Sequence, residues 1–185
     1  MNFTPTEIPD VVVVEPKVFS DQRGFFYELF HAGRFKAAGL DLSFVQDNFS
    51  RSAKGVVRGL HFQEPRAQGK LVRTLRGRIW DVAVDIRKGS PTFGRWVAET
   101  LDDESRKALW IPAGFAHGFC ALSDQADVEY KCTALWAPEC ERTLLWNDPA
   151  LGIPWPVERP ILAPKDAAGA PLARLEPLPA FRSAA

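Results

Sequence analysis

Hydrophobic positions along the chain come in short β-prone runs separated by Gly, Pro and Asp, and the 3.6-residue rhythm of amphipathic helices is scarce. Such runs fall at 11–14, 25–30, 44–46, 56–62 and 70–75, and again at 96–100, 108–111, 118–122, 128–132 and 143–146. The stretch 79–86 alternates most cleanly: Trp80, Val82, Val84 and Ile86 share one face, and Asp81, Ala83 and Asp85 share the other. Together these make about eleven candidate strands at the spacing of an all-β sandwich or barrel. Residues 32–38 allow two helical turns stopped by Gly39, and Leu75-Arg76-Gly77-Arg78-Ile79 reads as a tight hairpin joining two strands. Without long helices between strands a parallel α/β sheet is excluded, and a mainly β, antiparallel jelly roll is the expected architecture. From Trp155 onward Pro156, Pro160, Pro164, Pro171, Pro177 and Pro179 interrupt any regular element. The expectation is therefore one domain over 1–185, with 156–185 a Pro- and Ala-rich tail packed on the barrel as loops and short turns.

Composition narrows the function classes. The 185 residues are 46% hydrophobic and 25% charged, ordinary for a globular chain. Lys and Arg (23) balance Asp and Glu (23), so no global field draws the protein to nucleic acid or a membrane surface, and an anionic ligand must be held by locally placed cations. The aliphatic run at 11–14 is far short of the ~20 residues of a membrane span, and the first residues lack the basic flank and apolar stretch of a secretory signal. Cys120, Cys132 and Cys140 are odd in number and show no CxxC spacing, which points to free thiols and a cytoplasmic location.

Three histidines are available for chemistry. His31 flanks the short helical segment and reads as a surface residue. In Arg58-Gly59-Leu60-His61-Phe62-Gln63, strict alternation puts Arg58 and His61 on opposite faces unless Gly59 marks a bulge that brings both to one site. His117 follows a Pro/Gly turn in Pro112-Ala113-Gly114-Phe115-Ala116-His117, a Pro-x-Gly-x-x-His segment that resembles the second half-motif of cupin barrels. Metal-binding cupins carry His-x-His in the first half-motif, where this chain has His61-Phe62-Gln63. The donor count is short of a transition-metal site, so histidines doing acid–base work without metal or cofactor are expected. Arg23, Glu28, Gln46, Asp47, Asn48, Arg51, Arg58 and Lys70 flank or interrupt apolar strands. They suit either a phosphorylated ligand or solvated ion pairs. Trp136 follows a strand and suits either core packing or stacking on a base. Phosphate-loop, dinucleotide and nucleophile-elbow motifs are missing from the chain.

Several ordered blocks make the chain similar, over nearly its whole length, to the dTDP-4-dehydrorhamnose 3,5-epimerase family. They include Arg23-Gly24-Phe25-Phe26 with Glu28, Gln46-Asp47-Asn48-Phe49-Ser50-Arg51-Ser52, the segment 58–63, Gln68-Gly69-Lys70-Leu71-Val72-Arg73, the segment 110–119, and Tyr130-Lys131-Cys132-Thr133. The resemblance implies a cupin-type jelly roll that inverts C3 and C5 of a dTDP-4-keto sugar without a cofactor, in L-rhamnose and cell-surface polysaccharide biosynthesis. It implies His61 as the base, Asp166 as the carboxylate orienting it, Tyr130 as the proton donor and Lys70 as the cation beside the enolate oxygen. Arg23, Glu28, Gln46, Asp47, Asn48, Arg58, His117, Glu141 and Lys165 match the family's nucleotide-sugar contacts. Trp136 stands where an aromatic, often Tyr, stacks on thymine. A homodimer is implied, each amino-terminal arm carrying Arg23 and Glu28 across the interface to complete the partner's site. A 3-only or 5-only epimerase, a ketoisomerase and a non-catalytic sugar-binding cupin are the alternatives. The joint presence of His61, Tyr130, Lys70 and Asp166 argues against the last, because binding alone needs no acid and base.

Overall fold

The computed structural model describes residues 1–181, so the last four residues of the expected tail lie outside the described residues. Thirteen strands and two short helices occur among them. The strands are β1 (Asn2–Pro5), β2 (Val12–Glu15), β3 (Val18–Asp21), β4 (Gly24–Tyr27), β5 (Gln46–Ala53), β6 (Val57–Gln63) and β7 (Lys70–Arg76). They continue as β8 (Arg78–Asp85), β9 (Trp96–Asp102), β10 (Ala108–Ile111), β11 (Phe115–Ala121), β12 (Gln125–Cys132) and β13 (Glu141–Thr143); the helices are α1 (Ala32–Ala37) and α2 (Pro164–Ala167). A six-stranded sheet runs β1-β2-β10-β7-β12-β5 and a five-stranded sheet runs β13-β6-β11-β8-β9. The β3–β4 hairpin forms a separate two-stranded ribbon, and the interstrand pairings are antiparallel. No described helix is long and apolar enough to cross a membrane.

The two large sheets share one core. Val13, Val72, Leu109 and Val128 from the six-stranded sheet pack with Ile79, Ala83, Leu101 and Phe119 from the five-stranded sheet. This is the double-sheet roll that the alternating runs imply. In β8 the alternation sorts the side chains as expected, but both faces are buried. Ala83 enters the core between the sheets, while Val82, Val84 and Ile86 pack outward against Leu144, Leu151, Ile153 and Leu175. The chain after β13 supplies that outer cover. It is tied to the roll by bridges between Val56 and Ile161, Leu144 and Ala170, and Lys88 and Ala180.

Two sequence expectations need correction, and two short strands lie outside the expected set. The segment around Gly77 is a corner, not a hairpin: β7 pairs with β10 and β12, whereas β8 pairs with β9 and β11. Gly77 has φ +78°, and a Cβ there would meet Gln125 O at 2.1 Å, so the chain turns sharply from one sheet into the other. The 44–46 run is only the threshold of β5, whose eight residues alternate in the opposite sense to a core strand, with Phe49 exposed and Ser52 buried. Strands β1 and β3 escaped notice because both are four residues long and mostly exposed. His31 proves to be the N-cap of α1, its Nδ1 accepting from the Arg34 amide at 3.4 Å.

Candidate active site

The site begins with the bulge. On β11, His117 pairs with His61 and Phe119 pairs with Arg58, so β6 carries one extra residue between those two pairings. Gly59 makes this possible. Its φ is +121°, and an added Cβ would fall 2.5 Å from Gly118 Cα. Arg58 and His61 consequently both line one cavity of about 290 Å³, the outcome that the glycine in this strand suggests. The cavity is also lined by Asn48, Ser50, Lys70, His117, Tyr130, Trp136, Glu141, Lys165 and Asp166. It lies between the sheets: His61 and His117 come from the five-stranded one, and Lys70, Tyr130, Asn48 and Ser50 from the six-stranded one.

Two imidazole–carboxylate pairs stand in it. His61 Nε2 meets Asp166 Oδ1 at 2.6 Å, with Asp166 buried on α2, so the tail brings the carboxylate to the imidazole. With Nε2 on the carboxylate, Nδ1 is the ring nitrogen left to accept a proton. His117 Nε2 meets Asp81 Oδ1 at 2.7 Å; Asp81 is fully buried, and its Oδ2 has no hydrogen-bond partner among the described residues. Burial pushes the Asp81 pKa up, against the opposing influence of His117 and Lys70. Burial likewise pulls the Lys70 ammonium below its ordinary 10.5, although Cys132, Asp81 and Glu141 act in the other direction. The Tyr130 phenol is driven well above its ordinary 10 by burial, a shift moderated by its hydrogen bond to Ser50 at 2.9 Å and by the Arg58 charge.

At the mouth, Trp136 is 56% exposed. Its loop is held by Gln46 Oε1, which accepts from the Trp136 amide at 2.7 Å, and by Gln63 Oε1, which accepts from the Ala137 amide at 2.8 Å. Gln63 Nε2 donates to Arg66 O and Leu135 O. The residue in the place of a cupin's second histidine is thus engaged with backbone. Among the described residues no three His, Cys, Asp or Glu side chains gather as ligands for a metal. Lys165 and Glu141 form an ion pair at 2.8 Å on the cavity wall.

Ten of the fourteen expected site residues, counting Gln46 behind Trp136, are brought to this one place (His61, Lys70, Tyr130, Asp166, Gln46, Asn48, Arg58, His117, Glu141 and Lys165), and Trp136 makes the eleventh. The remaining three are not on the cavity of their own chain. Asp47 lies on the outward face of β5, bound to Lys131 at 2.8 Å. Arg23 pairs with Asp21 on the β3–β4 ribbon, and Glu28 pairs with Arg34. Alternation alone sorts Asp47 from Gln46 and Asn48, a distinction that reading the three as one polar cluster missed. Ser50 and Asp81 were passed over as candidates. A Ser in a polar stretch carries no signal of its own, and alternation in 79–86 does not say which of its two faces turns inward.

A double-sheet roll whose cavity holds a His–Asp pair, a half-buried lysine and a half-buried tyrosine belongs to a cupin-type isomerase. The chain is a member of the dTDP-4-dehydrorhamnose 3,5-epimerase family, whose profile matches residues 5–174. It is 56% identical over 171 residues to the dTDP-4-dehydrorhamnose 3,5-epimerase of Pseudomonas aeruginosa, covering 91% of this chain and 94% of that one. It is 55% identical to the protein of the same description from Neisseria gonorrhoeae, covering 95% of this chain but spanning only 54% of that longer relative. The crystal structure of a Legionella pneumophila dTDP-6-deoxy-D-glucose-3,5-epimerase, in complex with dTDP-4-keto-L-rhamnose, superposes with a TM-score of 0.96 at 50% identity, covering 98% and 99% of the two chains.

Proposed function

We infer that the protein inverts C3 and C5 of dTDP-4-dehydro-6-deoxy-D-glucose to give dTDP-4-dehydro-L-rhamnose through enolate intermediates. The observation that carries this reading is the sharing of one cavity by His61 on one sheet, backed by Asp166 of α2, and Tyr130 on the other sheet. The 4-keto group acidifies both neighbouring C–H bonds. His61 takes the proton through Nδ1, and the C–H pair moves into the C=C bond while the carbonyl pair moves onto the C4 oxygen. Asp166 steadies the imidazolium as it forms. Lys70, in a largely dry place, faces the growing negative charge. Tyr130 then delivers a proton from the other face, the enolate collapses to the ketone, and the centre is inverted. Arg58 and Lys165 suit the diphosphate, and Trp136 suits the base.

The protein works as a homodimer in this reading. Arg23 and Glu28 sit on an arm with Phe19, Phe25 and Phe26 exposed, and a second copy gives that arm a cavity to enter. The three cysteines are free and buried, which supports a reducing compartment, the cytoplasm. The decisive experiment incubates the protein with the 4-keto sugar nucleotide in deuterated water and locates label by NMR. Label in inverted product at both C3 and C5 is expected. Label at C3 alone makes the protein a single-centre epimerase, and no label overturns the acid–base reading.

A further inference from the structure

Tyr130 meets one side chain through its hydroxyl among the described residues, Ser50, whose Oγ lies 2.9 Å away. Tyr130 pairs with Asn48 across β12 and β5, so Ser50 is its diagonal neighbour on the same inward face. The other groups around the phenol are committed elsewhere. The Asn48 amide donates to Cys132 Sγ, and Arg58 donates to Ser52 Oγ and Arg51 O. His117, whose ring stands edge-on at 6.0 Å, is bound to Asp81, and Phe119 offers only an apolar face. A phenol half-buried between the sheets gives up its proton reluctantly, because the phenolate left behind is poorly solvated. A serine hydroxyl answers this, since it can donate to the phenol oxygen before transfer, leaving the phenol's own proton free to face the cavity, and to the phenolate afterwards.

We propose that Ser50 is a positioning residue for the protonation step, holding the Tyr130 hydroxyl toward the cavity and donating to the phenolate once the proton has gone. This rests on Tyr130 being the proton donor. In that step the C=C pair of the enolate forms the new C–H bond and the C4 carbonyl re-forms. The O–H pair stays on the Tyr130 oxygen, and Ser50 keeps its own O–H directed at it. A solvent water then returns the proton to Tyr130, and Ser50 ends the cycle unchanged.

The enolate has two fates, inversion by Tyr130 or return to substrate by the His61 imidazolium. Losing the Ser50 hydroxyl slows only the first. In deuterated water, Ser50→Ala should therefore raise the ratio of label in recovered substrate to label in inverted product about tenfold, with KM little changed. Ser50→Thr, which keeps a hydroxyl on a β-branched frame suited to a strand, should return the ratio to within about threefold of the parent, whereas its near-isostere Ser50→Val should not. In a Tyr130→Phe background Ser50→Ala should add nothing. The Thr and Val pair answers the question even if the Ala variant folds poorly. An unchanged ratio in Ser50→Val beside a non-inverting Tyr130→Phe sinks the role of Ser50 and spares that of Tyr130. Inversion at the parental rate by Tyr130→Phe overturns the donor itself.

Discussion

Asp166→Asn isolates one charge. The amide is close in shape to the carboxyl, and its oxygen still accepts from His61 Nε2, so the ring keeps its place and its tautomer while the countercharge is lost. Asp166 is 2% exposed and His61 25%, and they stand 2.6 Å apart. At an effective dielectric of about 20 and a charge separation of about 4 Å, attraction between imidazolium and carboxylate is about 4 kcal/mol. At about 1.36 kcal/mol per decade this is close to three decades in rate. Solvent at the quarter-exposed imidazole screens part of it, leaving about two decades. The imidazolium exists only once the carbon proton has been taken, so the loss belongs in kcat and not in KM. Steady-state kinetics and deuterium wash-in at C3 and C5, run side by side, provide the check. Both should fall about a hundredfold, by the same Coulomb arithmetic. A kcat within about threefold of the parent, or a loss carried wholly by KM, would refute the orienting role of Asp166.

Three further outcomes follow from the geometry. Gly59→Ala forces a Cβ to 2.5 Å from Gly118 Cα at a φ of +121°, a cost of at least about 2 kcal/mol. Thermal melting should drop by about 5 °C or more, and a midpoint within about 1 °C of the parent would show that the bulge tolerates a side chain. Burial alone would raise the Asp85 pKa, but hydrogen bonds from Arg87, Ser90 and Thr92 outweigh it and hold the carboxyl below its ordinary 3.8. Its stabilisation is therefore present above the unfolded value and lost as pH falls through the lowered folded one. Urea denaturation should find Asp85→Asn about 3 kcal/mol weaker than the parent at neutral pH, with the gap closing as pH falls below the ordinary 3.8; a gap independent of pH would contradict this. Because burial lowers Lys70 below 10.5 while Tyr130 is pushed up out of the same range, the alkaline limb of kcat should belong to Lys70 and fall below that value. Lys70→Arg, whose guanidinium stays charged, should move the limb upward, and an unmoved limb would take Lys70 out of the profile.

The parts of this molecule that could be read from its residues are those where hydrophobic alternation and the site's demands agree. In β8, Val82, Val84 and Ile86 alternate with Asp81, Ala83 and Asp85, and each set occupies one face as expected. The pattern could not say that both faces are covered, because the outer cover comes from the tail, where Leu151, Ile153 and Leu175 are scattered among prolines with no period of their own. In β5 the two demands conflict. Its inward positions Gln46, Asn48, Ser50 and Ser52 are polar because they wall or brace a polar cavity, while the apolar Phe49 is exposed, so a search for a core face finds nothing there. The inversion is itself a signal. A strand whose polar set faces its neighbour's Tyr130, beside a glycine bulge that turns both Arg58 and His61 inward, marks where the roll gives up packing to hold a ligand. Taken with the register, the same rule separates Asp47 from Asn48 and singles out Ser50. It does not reach Asp81, whose inward carboxylate answers to a histidine 36 positions away. A buried charge of that kind is costly without a partner, and only the fold shows that His117 supplies one on one oxygen while leaving the other unpaired.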